Sequence, residues 1–576
     1  MPRIRHLTVL AATLALGGCA LGASMMVGEG PTFEIAIADG LVAAPRDGRL
    51  FLMISSQPDG EPRFQAATWG SGTQPLFARD VDGLAAGGEA AIIDESAIGY
   101  PLDSLRDLPA GTYRVQAMLH LYTTFARSDR HSVKLPMDRW EGQNWRISPG
   151  NLYSDVQTLT IDPQAGGSYR LELEHEIPPI EPQQDTEYVK HVKIRSELLS
   201  DFWGTDMYIG AIVLLPEGFE DHPDARYPVA YYQGHFHDVF YTPVGFSPEP
   251  PDDSLTGYDY TYAEASHRLY LDWTSGKLPR MIIVTLQHPN PYFDDSYAVN
   301  SANLGPYGDA LTQELMPLIE ERFRAIGEPW SRALYGGSTG GWESLAWQVF
   351  YADMFNGAWV NCPDPIDFRY YQLVNIYEDD NAFYPNSDWL HDPIRPFRHD
   401  VDGQVDMSLK QATRMEEALG TRSRSGQQLA IWNAVYGPVA DDGYPQALWD
   451  PETGVIDRDV AYYMRDNYDL SHIIRRDWAT LGPQLQGKLH IAVGDEDTYY
   501  LEEAVMLLED FLEETDNPPY GGSVKYGYRH PHCYSGPPDD ESVRLTRLSY
   551  NQRILPQMAE RMIATAPPGA DMTWRY

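Results

Sequence analysis

The segment Ser331-Arg332-Ala333-Leu334-Tyr335-Gly336-Gly337-Ser338-Thr339-Gly340-Gly341-Trp342 constrains this chain more than any other. It reads as a short apolar strand that runs into Gly-x-Ser-x-Gly and straight on into a helix. A turn that abrupt brings the two backbones together, so side chains at positions 336 and 340 would collide. Glycine is a steric requirement at both. The serine between them is held where its hydroxyl clears the end of the strand, the arrangement called a nucleophile elbow. The same pattern also fits an ordinary glycine-rich turn, so the surroundings have to decide.

Two periodicities divide the rest. From about Thr32 to Ile177 apolar residues alternate, as in Phe33, Ile35 and Ile37, then Leu50, Leu52 and Ile54, then Tyr113, Val115, Ala117, Leu119 and Leu121. Short alternating strands separated by Gly/Pro/Asp turns predict a small antiparallel β-sandwich over 30–177. Pro178-Pro179-Ile180-Glu181-Pro182 predicts a stiff linker over 178–187. Beyond it, runs such as Ile209–Leu215, Tyr227–Tyr232 and Met281–Leu286 are continuously apolar, as in strands buried on both faces. Strands and helices then alternate, which predicts an α/β domain over 188–576 with a mostly parallel sheet covered by helices on both faces. One stretch, 363–483, lacks a sheet period and is rich in Tyr, Trp, Asp and Pro. It reads as an insertion overhanging the carboxyl edge of the sheet.

Charge narrows the function. With 43 basic against 83 acidic residues, the net charge of −40 excludes a generic nucleic-acid binder, which needs a basic surface. At the N-terminus, Arg3 and Arg5 precede the apolar run Leu7–Leu16, too short to span a bilayer. Leu16-Gly17-Gly18-Cys19 resembles a bacterial lipobox, which implies a signal peptide over 1–19 and lipidation of Cys19. Ala20 follows the cysteine where an aspartate would signal inner-membrane retention, so the expectation is an outer-membrane lipoprotein facing periplasm or exterior. An ordinary secretory signal cut after Ala23 is the alternative. The membrane contact is expected only through that anchor. Cys362 and Cys533 remain, and in an oxidising compartment they either pair or stay as two unrelated thiols.

The chemistry follows from the serine. A hydroxyl needs a base, usually a histidine oriented by a carboxylate, and on this kind of sheet the chain order is Ser, acid, His. After the strand ending at Val493 stands Gly494-Asp495-Glu496-Asp497, so Asp497 is the expected acid, with Asp495 second and Asp364 third. Tyr528-Arg529-His530-Pro531-His532-Cys533 follows the last expected strand, and His532, deeper in the loop, is favoured over His530. An acyl-transfer site also needs oxyanion donors. The backbone N–H groups of Thr339 and of His235, in Gln233-Gly234-His235-Phe236, are the candidates. His235-Phe236-His237-Asp238 is a weak metal pattern, because the acid comes one residue early and a further histidine is missing. No metal and no cofactor are expected.

With these residues assembled, the region from Tyr188 onward resembles the putative-esterase (esterase D-like) family of α/β-hydrolases. The resemblance rests on Tyr227-Pro228-Val229, on Gly305–Pro317, on Gly336–Gly341 and on the late Asp and His. It implies Ser338 as nucleophile, His532 as base, Asp497 as acid and no cofactor; the partner expected is a small-molecule or carbohydrate-linked ester. Gln233 departs from the family's usual histidine, and the long insertion prevents the substrate from being carried over. Some members also carry an N-terminal β-domain. The expected function is a serine carboxylesterase. The alternatives are a peptidase of prolyl-oligopeptidase type, for which the N-terminal region is short, and a non-catalytic glycan-binding surface lipoprotein.

Overall fold

The computed structural model describes residues 30–68, 72–236, 245–386, 393–536 and 549–576, so Cys19 and the segment preceding it lie outside the described residues. Eight strands form the sheet of the C-terminal part: β1 Val189–Ser196, β2 Met207–Leu214, β3 Val229–Gln233, β4 Ile282–Gln287, β5 Arg332–Gly337, β6 Ala358–Asn361, β7 Leu489–Gly494 and β8 Ser523–Gly527. Their order is β1-β2-β4-β3-β5-β6-β7-β8. Only β1 and β2 run antiparallel to their neighbours. The chain is thus an α/β-hydrolase fold from β1 onward, with the elbow serine at the end of a central strand.

Register aligns the carboxyl ends of the central strands. Gln233 pairs with Gly336, Gly337 with Asn361, and Gly494 with Gly527. Every loop that leaves these ends therefore emerges on one rim. Side chains at Tyr231, Leu334, Val360 and Val493 are fully buried, as expected of strands covered on both faces.

The N-terminal strands make the expected β-domain ahead of the hydrolase sheet. They form one continuous nine-stranded sheet that branches at Gly111–Leu121, which pairs with Gln157–Ile161 along its first half and Leu152–Ser154 along its second. The sheet is also mixed, since Pro31–Ile37 runs parallel to Gly167–Glu176. Curling gives it a core of its own from one set of alternating side chains, including Leu50, Leu52, Ile54, Val115 and Leu119. The opposite set, Phe51, Met53, Ala78 and Met118, belongs to the same apolar core as the hydrolase sheet. The period of two that builds each strand thus also fastens this region to the rest.

Polar contacts secure that face. Arg49 is buried and donates to the carbonyls of Glu417 and Ala418. Asp80 bridges it to Arg424, accepting from Arg49 at 2.9 Å and from Arg424 at 2.5 Å. The exposed stretch 178–187 connects the two parts without separating them. The insertion, read from sequence as irregular, contains the helices Leu409–Leu419, Gln428–Tyr436, Arg458–Tyr468 and Leu470–Leu485. Its aromatic residues hid the helical period because many of them are buried on more than one side.

Candidate active site

The elbow is tight in the way its glycines require. Ser338 sits at φ 58°, ψ −124°, between β5 and the helix Thr339–Phe350. A methyl group on Gly340 would stand 2.0 Å from the Gln233 carbonyl oxygen, and one on Gly336 would stand 2.4 Å from the Gly340 oxygen. Neither clash can relax, because the atoms met are backbone. The positive φ of a non-glycine residue is a strained state that the surrounding structure must hold. The carbonyl of Ser338 accepts from the Gly341, Trp342 and Asp364 N–H groups, which fixes it.

Two loops from neighbouring strands meet the serine. His532, after β8, places Nε2 2.9 Å from Ser338 Oγ. Its Nδ1 lies 2.8 Å from Asp497 Oδ2. Asp497 is fully buried and its other oxygen accepts from the Tyr499 N–H at 2.9 Å. Its own carbonyl lies 2.9 Å from His399 Nε2, so the insertion steadies the acid loop. The Tyr499 ring meets the His532 ring edge-on at 4.9 Å. Burial disfavours the imidazolium form of His532, but the charge of Asp497 outweighs it and holds the group well above the ordinary imidazole value.

The alternatives lie elsewhere. His530 packs its ring against Tyr534, and Asp495 accepts from the Arg529 N–H. Asp364 does reach the serine, but from another direction. Its Oδ1 accepts from Ser338 Oγ at 3.3 Å, while Oδ2 accepts from Tyr297 at 2.5 Å, Thr339 Oγ1 at 2.9 Å and Gln428 at 3.0 Å. Trp432 Nε1 in turn donates to the Tyr297 hydroxyl at 2.5 Å. Burial raises the Asp364 carboxyl, and the Tyr297 and Thr339 hydroxyls partly offset that. This network around Asp364 carries no local sequence signal, since Tyr297, Asp364 and Gln428 are far apart in the chain.

The oxyanion side is also more elaborate than its sequence suggests. Thr339 is the first residue of its helix, where an N–H has no acceptor within the helix. The Gly234–His235 backbone follows β3 and passes beside the elbow, with Gly234 Cα 3.0 Å from where a Gly340 methyl would be. What the sequence does not announce is the His235 side chain. Its Nδ1 lies 2.9 Å from both Asp294 Oδ1 and Asp295 Oδ2, and Nε2 lies 3.4 Å from Thr339 Oγ1. Burial opposes its charge, yet the two acids hold it well above the ordinary value. Only the adjacent pair Asp294-Asp295 after β4 could have hinted at this.

Two side-chain groups at this site bring metal-ligating atoms close together. Ligand atoms of His235, Asp294 and Asp295 lie within 4.8 Å of one another, as do those of Cys362, His532 and Cys533. In both groups the imidazole nitrogens already have the hydrogen-bond partners named above. The His-x-His pattern itself cannot be placed, since His237 and Asp238 lie outside the described residues. Cys362 and Cys533 are not joined in a disulfide, although their sulfurs lie within 4.8 Å of each other, so they are neighbours and not unrelated thiols.

A cavity of about 530 Å³ opens over Ser338, His532, His235 and Asp364. The insertion lines it with Gln372, Phe397, Gln428 and Trp432. The N-terminal region lines it too, through Glu141–Arg146.

The model of the family described as "Putative esterase" matches residues 204–432. The match and the sheet agree on an α/β-hydrolase of esterase type. The matched stretch of this esterase domain contains Ser338, His235 and Asp364, whereas Asp497 and His532 fall beyond it. Three solved structures are similar at low identity. A ferulic acid esterase is 14% identical over 65% of this chain and 99% of its own, with a TM-score of 0.36. An S-formylglutathione hydrolase from Agrobacterium tumefaciens is 14% identical over 66% and 98%, with a TM-score of 0.34. A ferulic acid esterase from Anaeromyces mucronatus is 15% identical over 65% and 93%, with a TM-score of 0.27. No curated protein matches.

Proposed function

We propose that this chain hydrolyses carboxylic esters through an acyl-enzyme on Ser338. The observation that carries the reading is the unbroken chain Ser338 Oγ, His532, Asp497, with separations of 2.9 Å and 2.8 Å. His532 Nε2 takes the hydroxyl proton as Oγ attacks the ester carbonyl. Asp497 accepts from Nδ1–H, which keeps the proton-accepting nitrogen turned to the serine and stabilises the imidazolium that forms. The backbone N–H groups of Thr339 and His235 are assigned to the oxyanion, each such donor being worth about 3 kcal/mol. His532 then returns its proton to the leaving alcohol. A water deprotonated by the same nitrogen attacks the acyl carbon and frees the acid and Ser338.

The cavity volume suits a small molecule or one unit of a larger ester, and its aromatic wall of Trp145, Phe397, Trp432 and Tyr499 suits an apolar or sugar-linked group. Cys19, if lipidated as the run before it suggests, tethers the enzyme to the cell envelope. Ser338→Ala is expected to lower kcat for short 4-nitrophenyl esters on the order of 10^6-fold. Near-normal turnover by a folded Ser338→Ala protein would end the proposal.

A further inference from the structure

The cavity over Ser338 is not built by the hydrolase part alone. Glu141–Arg146 belong to the N-terminal region, in the loop between the strands Ser132–Leu135 and Leu152–Ser154. That loop is wedged into the site. Gln143 donates to the carbonyls of Pro136 and Asn290, and Gly142, at φ 66°, lies so close to the Phe236 backbone that a methyl group would stand 2.7 Å from its oxygen. Phe236 directly follows His235, so the loop rests against the oxyanion segment.

The charged residue of this loop is Arg146. Its Nε donates to the Arg63 carbonyl at 3.0 Å, and Nη2 donates to those of Ala66 and Ala67. Its guanidinium carbon lies 4.5 Å from the Trp145 ring centroid. Nη1 donates to no group among the described residues, and no carboxylate of those residues lies within ion-pair distance of the guanidinium. Several other buried or half-buried arginines have an acid, whereas Arg475 and Arg561, away from the cavity, have none among the described residues. Arg49 and Arg424 share Asp80, Arg332 has Glu320, and Arg395 has Asp379. Arg146 is half-buried, and taking a guanidinium even partly out of water without a counter-ion is costly. Burial lowers Arg146 to about 10, so it still carries its charge at neutral pH.

The acids that share the cavity wall are committed. Asp294 holds His235, and Asp364 accepts from Ser338, Tyr297, Thr339 and Gln428. Glu141 accepts from Ser148 Oγ and the Arg139 N–H, and burial beside Asp138 raises its carboxyl above the ordinary range. The site therefore holds one cation whose counter-ion is missing, in a chain whose formal net charge is −40.

We propose that Arg146 receives a carboxylate of the substrate, so that the esters this enzyme cleaves are anionic and the N-terminal region sets that specificity. A singly charged carboxylate fits better than a phosphate, because one guanidinium with one free nitrogen offers two N–H donors. The proposal deepens the esterase reading and rests on it.

Two matched pairs of esters test it. 4-Nitrophenyl adipate monoester and 4-nitrophenyl hexanoate differ by a terminal carboxylate on the acyl side. 4-Acetoxybenzoate and phenyl acetate differ by one on the alcohol side. Wild-type enzyme is expected to favour the anionic member of one pair in kcat/KM, and which pair responds identifies the half of the substrate that carries the charge. Arg146→Met is expected to lower that anionic-to-neutral ratio on the order of 10–100-fold, with the change in KM, and Arg146→Lys to recover part of it. Equal losses on both members in Arg146→Met would mean that Arg146 only ties loops together, and would overturn the proposal. So would a wild-type enzyme indifferent to the carboxylate in both pairs, a result that needs no variant to fold. Failure to cleave any of the four esters would instead count against the esterase reading itself.

Discussion

Two imidazoles flank Ser338, and each is held by carboxylate. His532 has Asp497, and His235 has Asp294 and Asp295. In both, burial opposes the charged form and the acids override it. Electrostatics alone would not tell them apart. Geometry does: His532 Nε2 is 2.9 Å from Ser338 Oγ, while His235 Nε2 faces Thr339 Oγ1 at 3.4 Å. A histidine–aspartate pair in a cleft is thus a weak marker of the base, and its reach to the attacking oxygen is the strong one. The second pair is placed to steady the start of the nucleophile helix and the segment after β3.

The contrast breaks first at His532. His532→Ala is expected to lower kcat on the order of 10^6-fold, as the loss of the serine does, because the two act as one unit. The next largest effect belongs to its acid. Asp497→Asn should cost on the order of 10^4-fold, since the amide no longer holds Nδ1–H in the productive tautomer. It also carries a sign. The base must be neutral to accept a proton, so kcat/KM rises with pH as the imidazolium deprotonates, and Asp497 holds that limb above the ordinary imidazole value. Removing the anion lowers the histidine pKa, and the limb of the residual activity moves to lower pH. A limb that stays in place would assign it to another group. Least affected is the other pair. His235→Gln is expected to cost no more than ~10^2-fold, through misplacement near the oxyanion site, and to leave the acid limb where it was. A loss as large as that of His532→Ala would erase the distinction between the two.

The sequence announced the His532 pair and missed the other for a physical reason. Gly336, Gly340 and Ser338 are constrained by contacts within a few residues of one another, and the acid and base follow the ends of strands that register aligns. Those requirements are local, or set by chain order, and so they leave a readable pattern. The Asp294 and Asp295 contacts to His235 join the ends of two different strands, and the Tyr297, Asp364 and Gln428 network joins three segments with no shared period. At His235 only the backbone was legible, because the site's chemistry asks for an N–H there whatever the side chain. The N-terminal alternation predicted strands but not their closure into one curled sheet, since a period of two fixes which face is apolar and not which strand is its neighbour. Nor could it show that Glu141–Arg146 reach the cavity, because a loop's sequence carries no record of what it rests on.

The account depends on Ser338 being activated by His532 and not by His235. Intact-protein mass spectrometry after brief fluorophosphonate treatment reads this directly, in wild type, His532→Ala and His235→Gln. The prediction is one adduct, mapped to Ser338, in wild type and His235→Gln, and almost none in His532→Ala. Fast labelling of Ser338 without His532, or ester turnover by wild type with Ser338 unlabelled, would contradict it.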